Sequence, residues 1–260
     1  MIEIPDYAII QGNYLDVAKF LPSQGFQCLF ADPPDNLGLK YDAYQDKISH
    51  DDYVNRLEQW ITEAISLSKV TWFSVNYHYI ADVYFIIRKY ALHPSRMVIW
   101  RFNFGQHQSQ DLGNGFRPLF RLAQPDVQLY AKHISVPSAR QTKYKDKRAN
   151  PDGRTPDDVW EFPRVCGTFH ERRSWIPTQH PEALVERAIL LSTQPDDFVI
   201  DPFLGSGTTM RVCKKNGRKC IGIEMSGNYC KRVSQETGIP IYKIIPNKNN
   251  EVNPKWLRTN

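Results

Sequence analysis

Apolar residues recur along the chain with two periods, and the changes of period divide it into alternating strands and helices. The run from Phe26 through Cys28, Leu29 and Phe30 to Ala31 is nearly continuous, as expected of a strand buried on both faces. From Asp52 to Leu67 the period lengthens, and Leu57, Ile61, Ile65 and Leu67 fall on one side of a helix. Strand Val70 to Val75, a helix from about Tyr79 to Tyr90 and strand Met97 to Arg101 follow. Past residue 102 the pattern breaks into Gly, Pro, Gln and Arg, with one strand predicted at Asp126 to Ala131. It resumes at Pro177 with helix Pro181 to Thr193, where Leu184, Ala188 and Leu191 repeat at helical spacing. Strand Phe198 to Ile200, helix Thr208 to Asn216, strand Cys220 to Glu224 and strand Ile241 to Ile245 complete the series. Such alternation predicts an α/β fold with a mostly parallel, twisted sheet flanked by helices. The expected organisation is a core in two halves, 1–101 and 177–245, an insertion at 102–176 and a frayed polar tail at 246–260.

Two junctions between elements carry chemistry. Phe198-Val-Ile200 runs into Asp201-Pro-Phe-Leu-Gly-Ser-Gly-Thr-Thr209 and on into a helix, which makes a strand end, a glycine-rich turn and a helix N-terminus. Gly205 and Gly207 permit positive φ and close approach of a ligand to the main chain. The free amides at the helix start attract a carboxylate or phosphate. A tight strand-to-helix turn needs glycine even without a ligand, so this junction alone names none. Far upstream, strand Phe26 to Ala31 meets Asp32-Pro-Pro-Asp35. Two prolines fix φ and leave the preceding carbonyls without local amide partners, so a carboxylate and a rigid row of carbonyl oxygens share one strand end. That row can accept hydrogen bonds from an NH2 group, although Asp-Pro-Pro by itself more often simply ends a strand.

In combination and in this order, the junctions resemble the permuted β class of amino-methyltransferases, which methylate an exocyclic amine on DNA using S-adenosylmethionine. The resemblance rests on Asp32-Pro-Pro34, on Asp201 to Thr209, on His180-Pro-Glu-Ala-Leu184, and on Gly12-Asn-Tyr-Leu15, Lys40-Tyr-Asp42 and Cys220-Ile-Gly-Ile-Glu224; it spans about residues 7 to 235. It implies a Rossmann-like class I methyltransferase fold with permuted motif order and a small target-recognition segment at 102–176. It further implies a catalytic turn of Asp32, Pro33, Pro34 and Asp35, in which the Asp32 carboxylate and the Pro33 carbonyl accept both N–H bonds of the target amine. S-adenosylmethionine is then expected against Asp201 at its methionine amine, with Phe203, Gly205, Ser206, Gly207, Thr208 and Thr209 around the methionine moiety. Glu224 is assigned to the ribose hydroxyls, Asn13 to the adenine end and His180 to the approach. An acid closing the strand after the helix also suits a ribose diol on physical grounds. Asp at the first catalytic position implies adenine N6 as target; the alternatives are cytosine N4 and a catalytically impaired nucleic-acid-binding homologue.

Two positions depart from the family pattern. The fourth catalytic residue is Asp35 where the family carries an aromatic ring that stacks on the flipped base. Stacking is therefore expected from Tyr41 or Tyr44, or from Phe102 or Phe104, with Asp35 reading a donor group on a base. Gly12-Asn13 stands in place of Gly-Asp, a milder change because an amide still accepts a hydrogen bond.

Composition narrows the picture further. At 260 residues with 41% hydrophobic content the chain can bury one sizeable core. The net charge of +5 is modest, but Arg140, Lys143, Lys145, Lys147 and Arg148 crowd around Tyr144, opposed locally by Asp146. A basic loop with an interleaved aromatic suits a phosphate backbone, so Lys143, Lys145, Lys147 and Arg148, with Tyr41, are expected to meet double-stranded DNA. The five cysteines lack Cys-x-x-Cys spacing and the histidines lack His-x-x-x-His, which predicts reduced core thiols and a site without metal. No apolar run approaches the roughly 18 residues of a membrane span, and a cytoplasmic protein is expected, with a homodimer left open. A dinucleotide-dependent oxidoreductase would share the glycine turn and the ribose acid but leaves Asp32-Pro-Pro34 unexplained. A phosphate-loop hydrolase needs a Lys straight after Gly-Ser-Gly207, and the chain has Thr208 there.

Overall fold

In the computed structural model, which describes residues 5–92, 95–102, 104, 108–245 and 255–259, the chain begins with β1 (Tyr7–Gln11), α1 (Tyr14–Ala18) and β2 (Phe26–Ala31). It continues through α2 (His50–Leu67), β3 (Ser68–Ser74), α3 (Ile80–Lys89), β4 (Ser95–Arg101), β5 (Phe116–Ala123), α4 (Ala139–Thr142) and β6 (Val159–Glu161). The last third holds α5 (Glu182–Ser192), β7 (Phe198–Asp201), α6 (Thr208–Lys215), β8 (Lys219–Glu224), α7 (Gly227–Thr237), β9 (Ile241–Ile245) and β10 (Lys255–Thr259). Helix α2 starts at His50 because the Ser49 hydroxyl accepts the Asp52 amide, and Asp51 and Asp52 in its first turn suit the helix dipole.

All ten strands join one sheet in the order β10-β9-β1-β8-β7-β2-β3-β5-β4-β6. Strands β9, β1, β8, β7, β2 and β3 run parallel, while β5 and β10 run antiparallel to their neighbours. Helices cover both faces. One core packs Tyr14, Leu57, Ile61, Val83 and Ile86 of α1, α2 and α3 against Phe73, Phe120 and Ile200. The other packs Leu184, Ile189, Met210 and Val233 of α5, α6 and α7 against Ile9, Cys28, Val70 and Trp72. Four cysteines are buried there and all five are free thiols. No helix among the described residues is long and apolar enough to cross a membrane.

The chain leaves β7 through α6 toward β8 and leaves β2 through α2 toward β3, so the connections diverge between two adjacent central strands. Such a point of divergence opens a crevice at the carboxyl ends of the strands. The register Leu29↔Ile200 then sets Asp201 level with Phe30, and Asp32 follows two residues on at the same end.

Two expectations need correction, and one helix was not expected. No strand forms at residues 126–131; the missing strand of the insertion is β5, which lies inside the sheet between β3 and β4. Pro118 and two arginines in β5 disguise it, because an inner strand rarely carries them. Residues 255–259 are no frayed tail but pair antiparallel with β9, whereas 246–254 lie outside the described residues. The unpredicted helix α7 buries only Tyr229, Cys230, Val233 and Thr237, too narrow a stripe to announce itself.

Leu57 is fully buried in the first core. Leu57→Ala is expected to lower unfolding stability by about 2–5 kcal/mol in urea titration, the range for emptied core leucine sites; a loss under about 1 kcal/mol would contradict that packing.

Candidate active site

At the crevice between β7 and β2 the glycine turn folds as a cradle. Gly207 has φ +76° and precedes α6; a Cβ there would lie 2.6 Å from a Val233 methyl, so only glycine fits. Arg211 laces the turn from behind, donating to the Ser206 carbonyl (2.7 Å) and to Glu182 Oε1 (2.8 Å). At its entrance Asp201 accepts from the Phe203 amide (2.9 Å) and from Thr209. Burial pushes the Asp201 carboxyl up to about 7; those two hydrogen bonds oppose the rise, and the nearby Asp32 and Glu224 charges add to it. Glu224, at the end of β8, accepts from the amides of Gly205 (2.9 Å) and Ser226 (2.8 Å), and burial raises its pKa as well. Two carboxylates lodged at strand ends, held by amides and a hydroxyl, are suited to a ligand bearing an ammonium group and hydroxyls.

Asp32 meets the opposite treatment. Its Oδ1 accepts from Arg117 Nη2 (2.8 Å), and its Oδ2 lies 2.8 Å from His180 Nδ1. Burial would raise its pKa, but His180 and Arg117 outweigh it and bring the carboxyl down to about 2. Arg117, from β5, also forks onto Asp35, Nη1 to Oδ2 at 2.5 Å and Nη2 to Oδ1 at 2.9 Å. Its Nε donates to Ser74 Oγ (2.6 Å), and Ser74 Oγ lies 3.0 Å from His180 Nε2, which closes a ring of polar contacts around Asp32.

The loop between Asp35 and α2 covers the crevice. Buried Asp46 ties it by accepting the amides of Asn36 (2.7 Å), Leu37 (3.2 Å) and Leu39 (3.0 Å). Asp42 takes the Ser226 hydroxyl, and the Tyr41 hydroxyl lies 3.3 Å from Thr178 Oγ1.

One cleft, about 990 Å³ and open at its mouth, gathers most of the predicted residues. Asn13, Asp32, Pro34, Tyr41, His180, Asp201, Phe203, Gly205, Ser206, Thr208, Thr209 and Glu224 line it; Pro33, Asp35 and Gly207 are buried next to lining residues in the chain. Asn13 caps α1 by accepting the Leu15 amide (3.0 Å). Two residues have partners that the sequence does not show. Both Asp35 oxygens accept from Arg117, which makes Asp35 an internal ion-pair partner. His180, expected on the cofactor side, has its ring nitrogens against Asp32 and Ser74. Of the candidate stacking rings, Tyr41 and Tyr44 line the cleft, whereas Phe102 is buried against Trp100 and Phe104 is exposed. Lys143, Lys145, Lys147 and Arg148 lie exposed beside α4 and do not line the cleft, with Arg140 and Arg148 both bonded to Asp146. Ser74 and Arg117 were missed, since nothing local in the sequence ties them to Asp32. Among the described residues no group of three or more His, Cys, Asp or Glu could hold a metal ion.

A profile of DNA methylases, the N6/N4 methyltransferases, matches residues 26–236. The DNA adenine methyltransferase YhdJ of Escherichia coli is 32% identical over 237 residues, covering 86% of this chain and 80% of that protein. Type II methyltransferase M.HpaI of Haemophilus parainfluenzae is 30% identical over 240 residues, covering 86% and 72%. In three dimensions the PvuII DNA methyltransferase (cytosine-N4-specific) superposes with TM-score 0.66 at 14% identity, over 90% of this chain and 88% of that one. The M1.HpyAVI complex with S-adenosylmethionine does so with TM-score 0.61 at 19% identity, over 90% and 100%. Both share the Rossmann-like fold.

Because the Asp201 pKa is raised from 3.8 to about 7, the folded protein keeps a proton that the unfolded chain has released between those values, and stability falls as pH rises through that window. Asp201→Asn should remove this component, so its stability relative to the wild type should climb between about pH 4 and 7, by up to roughly 1.4 kcal/mol per pH unit. Denaturant titrations across that range check it, and a constant difference would refute the buried, uncompensated acid.

Proposed function

We propose, since the chain belongs to the DNA methylase family of N6/N4 amino-methyltransferases, that it methylates adenine N6 in double-stranded DNA, as a cytoplasmic enzyme. The family is S-adenosylmethionine-dependent, and the cradle fits that cofactor. Asp201, a buried acid without a cation, suits the methionine ammonium, the Phe203 to Thr209 turn suits the methionine moiety, and Glu224 suits the ribose diol. Asn13 lines the same cleft at the edge of β1. When bound, the cofactor supplies an electrophilic methyl group on a sulfonium centre.

The observation that carries the reading is an ionised Asp32 on the wall of the cleft that Asp201 and Glu224 also line. An exocyclic amine is a poor nucleophile because its lone pair is delocalised into the ring. Asp32 and the Pro33 carbonyl, by accepting its two N–H bonds, localise that lone pair and stabilise the positive charge that builds on nitrogen only during transfer. With its pKa near 2, Asp32 stays a charged acceptor throughout the neutral range. The remaining work is placement. Adenine is favoured by Asp at the first catalytic position and by the adenine activity named for the Escherichia coli relative. The exposed Lys143, Lys145, Lys147 and Arg148 offer a surface for the DNA backbone.

Mass spectrometry of nucleosides from DNA treated with enzyme and labelled cofactor should show N6-methyladenine; N4-methylcytosine as sole product would overturn the base assignment. Asp32→Ala is expected to lower kcat by about 10²–10³ with cofactor binding retained, on the scale of one lost transition-state contact. Turnover within a few-fold of wild type would remove Asp32 from the mechanism.

Neutralising Lys143, Lys145, Lys147 and Arg148 together should flatten the salt dependence of DNA affinity by about 0.9 log units per lost phosphate contact. An unaltered slope in binding titrations would show that these side chains meet only water.

A further inference from the structure

The fourth position of the catalytic turn is a carboxylate, Asp35, whose two oxygens both accept from Arg117. Arginine and carboxylate pair most strongly as a two-pronged fork. Arg117 stands between two carboxylates and gives the fork to Asp35, leaving Asp32 a single bond at 2.8 Å. Its Nε is committed to Ser74. The Ser74 hydroxyl also bonds to Asp32, so Arg117, His180 and Ser74 together leave the carboxylate about one of its roughly four lone pairs for a further donor. We propose that Asp35 is a positioning residue that holds the Arg117 fork away from Asp32, so that Asp32 stays oriented and ionised yet able to accept the target amine. This rests on the assignment of Asp32 as the amine acceptor.

Charge supports the arrangement. The groups facing Asp32 are Arg117 from β5, His180 ahead of α5, Asp35 in its own turn, Asp201 at the end of β7 and the Tyr41 hydroxyl from the covering loop. Removing Asp35 alone leaves Arg117 free to turn its fork onto Asp32 and fill the acceptor sites. Removing Arg117 alone leaves two buried carboxylates together, and Asp32 takes up a proton more readily. Removing both deletes a neutral pair and leaves Asp32 held by His180.

A double-mutant cycle in kcat tests this with Asp35→Asn, Arg117→Gln and the double variant. Each single change should lower kcat by about 10²-fold, the scale of a misplaced reacting group, and the double variant should be more active than either. The acid limb of the pH profile should move upward in Arg117→Gln and not in Asp35→Asn, while S-adenosylmethionine affinity stays within about two-fold in all three, since neither residue lines the cleft. If Arg117→Gln does not fold, Arg117→Lys keeps the charge without the fork and should lose kcat with no shift of the acid limb. Losses that multiply in the double variant, or an Asp35→Asn that keeps kcat and changes sequence preference, would overturn the proposal. A readout independent of transfer is carbon-13 NMR of aspartate-labelled protein: the Asp32 carboxyl should titrate above pH 4 in Arg117→Gln but not in the wild type or Asp35→Asn. Identical titrations in all three would also overturn it. A wild type that methylates no DNA would instead sink the assigned function, with the NMR comparison still deciding how Arg117 acts on Asp32.

Discussion

Asp32 and Asp201 end neighbouring strands at the centre of one sheet, and both carboxylates are largely withdrawn from water. Withdrawing a carboxylate is expensive unless cations or hydrogen bonds replace the lost hydration. The fold answers this twice, in opposite ways. Arg117 and His180 compensate Asp32, which remains ionised, whereas among the described residues Asp201 receives a hydroxyl and an amide and its carboxyl is pushed up to about 7. The contrast is the one that the proposed function needs, a charged acceptor at Asp32 and an acid at Asp201 ready to meet a cationic ligand.

Topology makes that contrast possible. The connections diverge between β7 and β2, so the crevice that receives the cofactor half also receives the catalytic turn, although the two segments are far apart in sequence. Strand β5, antiparallel between β3 and β4, brings Arg117 from the insertion to the same rim. The segment at 102–176 therefore contributes the cation that pairs with Asp32 and holds it ionised. Together Arg117 and Asp35 form a nearly buried ion pair, and such a pair is weak evidence for net stability because desolvation offsets its attraction.

Most of the glycine turn and its flanking acids was legible because their signals are local. Gly205, Gly207 and the strand-end acids lie within one strand-turn-helix-strand stretch whose periodicity and glycines speak for themselves. The surroundings of Asp32 were not. Arg117 sits 82 residues from Asp35 in a strand disguised by Pro118, and no spacing rule links it to Ser74 or His180. The sequence therefore shows neither the Arg117 partner of Asp35 nor the contact of His180 with Asp32. Polar helices and edge strands, such as α7 and β10, escaped because pairing and packing with distant partners define them, not a broad apolar face.

The opposed states of the two aspartates are tested most directly by calorimetric titration of the protein with S-adenosylmethionine near pH 7 in buffers of different ionisation enthalpy. With Asp201 near its midpoint in the free protein and ionised against the methionine ammonium, binding should release roughly half a proton in the wild type, and Asp201→Asn should release none. Binding heats that do not depend on the buffer, or the same proton release from Asp201→Asn, would contradict the account.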